Sequence, residues 1–181
     1  MALGYIIGGL LVLIIFPTLI YLLTLLADRI YQISIIQNKD LRLIISACLM
    51  VTGFSFGISS IVCQNVVGKG GPLEISNIEI SPKTRNLVTS GPYRLTRNPM
   101  LFGTILIYIA GAILLNSLAA VLIVLIFAVF MLTFVVKKEE ERLVKDFGDQ
   151  YVQYRNRTSK IIPWFTLKTN NSNPQTEKTT G

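Results

Sequence analysis

The sequence predicts an all-α, multi-pass membrane protein with about four transmembrane helices and a cytoplasmic amphipathic helix. Three observations carry this expectation. Hydrophobic residues make up 51% of the 181-residue chain and charged residues only 15%, against roughly 25% charged in a soluble domain. The apolar residues fall into four runs, at about 3–26, 43–67, 99–115 and 118–136, and runs of this order can cross a ~30 Å hydrocarbon layer as helices. Positive charge, finally, collects on one set of connections and avoids the other.

The first run contains no Lys or Arg before Arg29. A cleaved leader has a basic start and an apolar stretch of only about 7 to 15 residues, so this run is expected to remain as a span. The second run holds Cys48 and Cys63, which suit apolar packing. The chain has no histidine and no Cys/His cluster, so neither zinc nor haem finds a ligand set. "GYIIG" at 4–8 and "GFSFG" at 53–57 have the GxxxG spacing that lets helix backbones approach closely. "GKGGP" at 68–72 lacks the spacing of a phosphate loop, and no dinucleotide fingerprint follows a strand.

The third and fourth runs are separated only by Asn116 and Ser117. So short a connection makes them an antiparallel hairpin whose polar ends share one side of the membrane. The loop 68–98 carries five Lys or Arg and the stretch after Val136 carries nine, whereas connection 27–42 carries three, Arg29, Lys39 and Arg42. This asymmetry places the loop and both termini in the cytoplasm. It also accounts for the net charge of +7 without nucleic acid as a partner. Residues 1–165 are expected to form a single membrane domain, with a helix over about 137–160, Trp164 and Phe165 at the interface, and a disordered tail from 166 to 181.

Two polar blocks become neighbours through the hairpin: "SPKTRNLVTSGPYRLTRNP" and "KKEEERLVKDFGDQYVQYRNR". In the second, Glu139 with Arg142 and Glu141 with Lys145 have the spacing of solvated helix pairs. Glu140 has no such partner. At about 100° per residue it falls on the stripe of Leu143, Val144, Phe147, Tyr151 and Tyr154, where a carboxylate is expected to be paired or to bind something. A helix break that alters the phase is the plainer alternative. Arg94 and Arg97 in the first block either reach to the lipid headgroups or hold a ligand. Guanidinium and carboxylate together suit a zwitterion carrying both a carboxylate and an ammonium.

"NLVTSGPYRLTRNPMLFG", followed by a hairpin and "EEERLVKDFGDQYVQY", resembles the isoprenylcysteine carboxyl methyltransferase and phospholipid methyltransferase superfamily of integral membrane enzymes. That group's pattern is approximately LVxxGxYxxxRHPxYxG, then paired glutamates, then a Phe-Gly-x-x-Tyr run. The resemblance covers about residues 83–163. It implies an S-adenosylmethionine site lined by Arg85, Asn86, Leu87, Val88, Tyr93 and Arg97. Asn98, Pro99, Met100 and Leu101 would form its floor, and Glu139 or Glu140 would close it. Asn98 and Leu101 stand where the pattern has histidine and tyrosine; asparagine keeps hydrogen-bonding capacity but does not titrate near neutral pH. The implied activity is methyl transfer to a lipophilic or small acceptor: an isoprenylcysteine-like carboxylate, a thiol or a phospholipid amine. A sterol-reductase-like enzyme binding NADPH and a non-catalytic membrane scaffold are the alternatives.

Overall fold

Where no water is present, every backbone N–H and C=O must be satisfied within the protein, and this chain meets that demand with helices. The computed structural model describes residues 2–30, 32–69 and 85–163. The expectations for Lys83, for Trp164 and Phe165, and for the tail lie outside these residues. Helix α1 (Ala2–Leu10) runs through a π-helical turn, Leu11–Ile15, into α2 (Phe16–Asp28). Helix α3 (Lys39–Cys63) ends in a second π turn, Gln64–Gly68. A 3₁₀ turn, Gly91–Arg94, precedes α4 (Pro99–Leu114). Helix α5 (Leu118–Phe130) continues through a third π turn, Met131–Val135, into α6 (Val136–Phe147), and α7 (Asp149–Arg157) follows.

Three continuous helical stretches, Ile6–Asp28, Lys39–Gly68 and Leu118–Phe147, are long and apolar enough to cross a membrane. Pro99–Leu115 is a shorter apolar helix. At 1.5 Å per residue it reaches about 25 Å, a little less than the hydrocarbon thickness. Large apolar side chains such as Leu13, Ile14, Val51, Ile58, Ile126 and Val129 are exposed on its longer neighbours, as expected of surfaces that face lipid.

Helix α3 lies along α4, which turns back into α5, and α5 packs on α2. The first crossing depends on two glycines. A Cβ built on Gly53 would stand 2.7 Å from the Gly103 carbonyl oxygen, and one on Gly103 would stand 2.5 Å from that of Gly53. Any larger residue pushes the two backbones apart. Further along, Tyr108, Ala112, Ala120 and Val124 form a buried core, with Phe16, Ile20 and Phe127 packed against it.

The far end of the bundle is closed by the hairpin turn. Asn116 adopts a left-handed conformation, φ 54°, and its Oδ1 accepts from the backbone N–H groups of Ile35 and Ile36 at 3.0 and 2.9 Å. Ser117 caps α5 by accepting from Ala120 N–H and donates to Asp28 Oδ1. These bonds fix the connection 32–38 across the ends of α4 and α5.

One expected element differs. The helix anticipated over 137–160 is two: α6 is the direct continuation of the fourth span, and it stops at Gly148, whose φ of 52° and ψ of −129° suit a residue without a side chain. The chain bends there, so α7 can fold back toward the loop. Gly103→Ala should destabilise the protein by about 1 to 3 kcal/mol through overpacking at the α3–α4 crossing. Gly111→Ala, where a Cβ meets nothing within 4 Å, should be close to neutral. Unfolding of both variants in the same detergent checks the difference.

Candidate functional site

The loop between α3 and α4 reaches its position through backbone contacts at both ends. Gly68, in the second π turn, accepts through its carbonyl from Arg85 N–H at 2.8 Å, and Asn86 Nδ2 donates to Val67 O at 3.1 Å. Val88 is buried, while Arg85 and Asn86 are exposed. Then comes Gly91, with φ +58° and Cys63 Sγ only 2.5 Å from where a Cβ would be. The positive φ and the contact both exclude a side chain here, and they seat the Gly91–Arg94 turn on the end of α3.

The next residues are joined to the C-terminal strand-like segment 158–163. Thr96 and Ser159 form a single parallel bridge, and Arg97 N–H donates to Ser159 O at 2.9 Å. Ser159 Oγ donates to Leu95 O at 3.0 Å. The Lys160 carbonyl accepts twice, from Thr96 Oγ1 at 3.2 Å and from Asn98 Nδ2 at 2.8 Å. Thr96 is fully buried. From the other side Tyr154 donates its phenolic hydrogen to Tyr93 O at 2.7 Å. Asn98 thus spends its amide donor on backbone, which gives a structural use to the residue that stands in place of the pattern's histidine.

This clasp holds Arg97 against α6. Arg97 Nη1 lies 3.3 Å from Glu140 Oε1, with the side chains only 11% and 17% exposed. The contact is coulombic: Arg97 Nε and Nη1 and Glu140 Oε1 are buried without a well-formed hydrogen bond. Glu140 therefore does what its place on the apolar stripe suggested, facing an arginine of the loop. Glu139 instead bonds Arg142 at 2.5 Å along its own helix, and Glu141 is exposed. Tyr151, 1% exposed, packs beside the pair. Burial pushes its phenol up to about 12, the Glu140 carboxylate adds to the rise, and Arg97 opposes it. Burial also raises the Tyr154 phenol, with Tyr93 and Tyr151 contributing.

The twelve residues singled out in the sequence thus separate into groups. Tyr93, Arg97, Asn98 and Glu140 meet around the clasp, and Pro99, Met100 and Leu101 form the first turn of α4 directly after it. Arg85 and Asn86 dock on the π turn that ends the second span, Leu87 and the buried Val88 follow them, and Glu139 is turned to Arg142. The sequence reading missed Thr96, Ser159 and Lys160. Their side chains and carbonyls act only in combination across more than 60 residues, so no local pattern marks them. Tyr151 and Tyr154 were legible only as members of an apolar stripe.

Chemically, an arginine and a glutamate with unsatisfied buried atoms can receive a ligand that brings a carboxylate to the first and an ammonium to the second. A shallow apolar groove of about 670 Å³ follows the outer face of α3, lined by Val51, Phe54, Ile58, Val62 and Cys63 among others. Its Cys63 end abuts Gly91, two residues from Tyr93. A family sequence model described as phospholipid methyltransferase matches residues 41–150, a stretch that contains α3, the loop, Arg97 and Glu140. A search of curated proteins gives no match.

Glu140→Gln should cost about 2 to 3 kcal/mol of stability, because it strands a largely buried guanidinium. Glu141→Gln, on the exposed face, should cost under ~0.5 kcal/mol. Denaturant unfolding of the two variants measures both.

Proposed function

Since the chain belongs to the phospholipid methyltransferase family and is a membrane methyltransferase, we propose that it moves a methyl group from S-adenosylmethionine to a lipophilic or small acceptor at the membrane boundary. The observation that carries this reading is the Arg97–Glu140 pair, buried beneath the clasp with polar atoms still free to bond. The pair fits the amino-acid end of the donor, with Arg97 holding its carboxylate and Glu140 its ammonium. Tyr93 and the first turn of α4, Pro99 to Leu101, would border the rest. The charge asymmetry of the loops supports a cytoplasmic position for this site.

Bound there, S-adenosylmethionine supplies an electrophilic methyl on a sulfonium, and the protein needs to contribute chiefly alignment. The side chains around the pair suit that division of labour. Tyr151 and Tyr154 are neutral phenols at physiological pH, as tyrosines ordinarily are, burial moves both still further from ionisation, and Glu140 is engaged by Arg97. No strong base stands among these groups. This supports an acceptor that arrives with a free lone pair, a carboxylate or a thiolate, over a protonated amine. The groove along α3, apolar and ending near Tyr93, suits the hydrocarbon chain of a lipophilic acceptor.

The family match favours this reading over a reductase or a scaffold. Labelled S-adenosylmethionine should bind the purified protein in detergent or nanodiscs, and NADPH should not. Arg97→Lys should weaken donor binding at least about tenfold, because a point charge replaces a planar fork. Binding of NADPH alone would favour the reductase reading; donor binding equal in the lysine variant would reduce Arg97 to a boundary anchor.

A further inference from the structure

The clasp brings a second cation to the site, deeper than the first. Lys160 gives its carbonyl to Thr96 and Asn98, and its side chain runs across to α5, where Nζ donates to Leu132 O at 3.1 Å. Leu132 belongs to the π turn Met131–Val135. That turn departs from the regular α-helical bonding pattern, so its carbonyls are available to outside donors. The first charged residue after Leu118 is Lys137, which marks the end of the apolar run. Leu132 precedes it by five residues, about 7 Å along the helix at 1.5 Å per residue. Lys160 thus holds an ammonium below the polar boundary, half-buried, where a charge is costly unless paired.

No carboxylate among the described residues pairs with it. Glu140, the acid in the same region, is taken by Arg97 and lies eight residues, about 12 Å, further along the helix. An ammonium has three donors, and Leu132 O takes one. Arg97 and Lys160 are both carried by the clasp, and both reach the α5–α6 helix, the first at Glu140 and the second at Leu132. The result is two levels: a guanidinium–carboxylate pair toward the cytoplasm, and an ammonium without a counter-charge on the membrane side of it.

We infer that Lys160 is a recognition residue for the acceptor, binding an oxyanion of an amphiphile whose chain lies in the bilayer. The class is a carboxylate or a phosphate ester carried on a hydrocarbon chain. The inference rests on the proposed methyl transfer only in naming this amphiphile the acceptor; the anion site itself follows from the position of the ammonium. Lys160 touches the acceptor and not the donor, so it governs which molecule is selected and leaves donor binding to Arg97 and Glu140.

The test measures binding to the full-length protein in neutral detergent micelles. The probes are oleate, oleoyl lysophosphatidate and, as the neutral chain of equal length, oleyl alcohol. Wild type should bind at least one of the two anions at a single site at least tenfold more tightly than the alcohol. Lys160→Gln should lose that preference, Lys160→Arg should keep most of it, and Lys137→Gln, an exposed cation nearby, should leave it unchanged. The two anionic arms tell carboxylate from phosphate. Equal binding of anion and alcohol by wild type, or an equal loss in Lys137→Gln and Lys160→Gln, overturns the inference. Labelled S-adenosylmethionine is measured on the same samples. Donor binding without anion preference rejects the Lys160 site alone, whereas anion preference without donor binding rejects methyl transfer and keeps the site. If Lys160→Gln fails to fold, the arginine variant and the wild-type anion preference still decide.

Discussion

Polar atoms drawn into the apolar part of this protein have no water to turn to, and several of them are answered by a partner from a distant part of the chain. The π turns show this most clearly. Each occurs in an apolar helix, and each offers a carbonyl to an outside donor: Val12 to the Tyr108 hydroxyl at 2.6 Å, Val67 and Gly68 to Asn86 and Arg85, and Leu132 to Lys160. The first bond ties α4 to the helix formed by α1 and α2. The other two attach the loop and the C-terminal segment to α3 and α5. The same local departure from helical regularity therefore builds both the bundle and the site.

The clasp between residues 95–98 and 159–160 is what fixes Arg97 in one place. A loop segment in which Arg85 and Asn86 are exposed would have little reason to hold Arg97 in one place. The backbone bond from Arg97 to Ser159, the side-chain bonds from the buried Thr96 and from Asn98 to the Lys160 carbonyl, and the Tyr154 hydroxyl on Tyr93 remove that freedom. Arg97 is then presented to Glu140 with its entropy cost already met by the fold, which is the condition for tight recognition of a small zwitterion. Gly148 makes this possible by ending α6, so that α7 carries Tyr151 and Tyr154 back over the pair.

Much of this was legible in the residues. The four apolar runs, the Asn116–Ser117 turn and the close approach at Gly53 follow from hydropathy, loop length and spacing, which are local properties. Glu140 was visible as a carboxylate in the wrong place on an amphipathic helix. The partner was narrowed to Arg97 only by the resemblance; as residues Arg94 and Arg97 read alike, and only the bridge to Ser159 turns the second toward α6. Lys160 was hidden for a similar reason: a lysine near a membrane boundary is ordinary, and its depth becomes apparent only when its ammonium is found on Leu132. The break at Gly148 was hard to place because the stripe of Leu143, Phe147, Tyr151 and Tyr154 reads as one helix on either side of it.

The central claim is that the Arg97–Glu140 pair exists to receive the donor, and not to hold the fold. A buried ion pair can often be replaced by apolar residues of similar size without loss of stability, so the two roles can be separated in one protein. The decisive measurement is S-adenosylmethionine binding to Arg97→Met/Glu140→Met, alongside its unfolding. The double variant should be at least as stable as Glu140→Gln and should bind the donor at least about a hundredfold more weakly than wild type, the loss of two charge-assisted contacts. A double variant that folds and binds the donor like wild type would contradict the account.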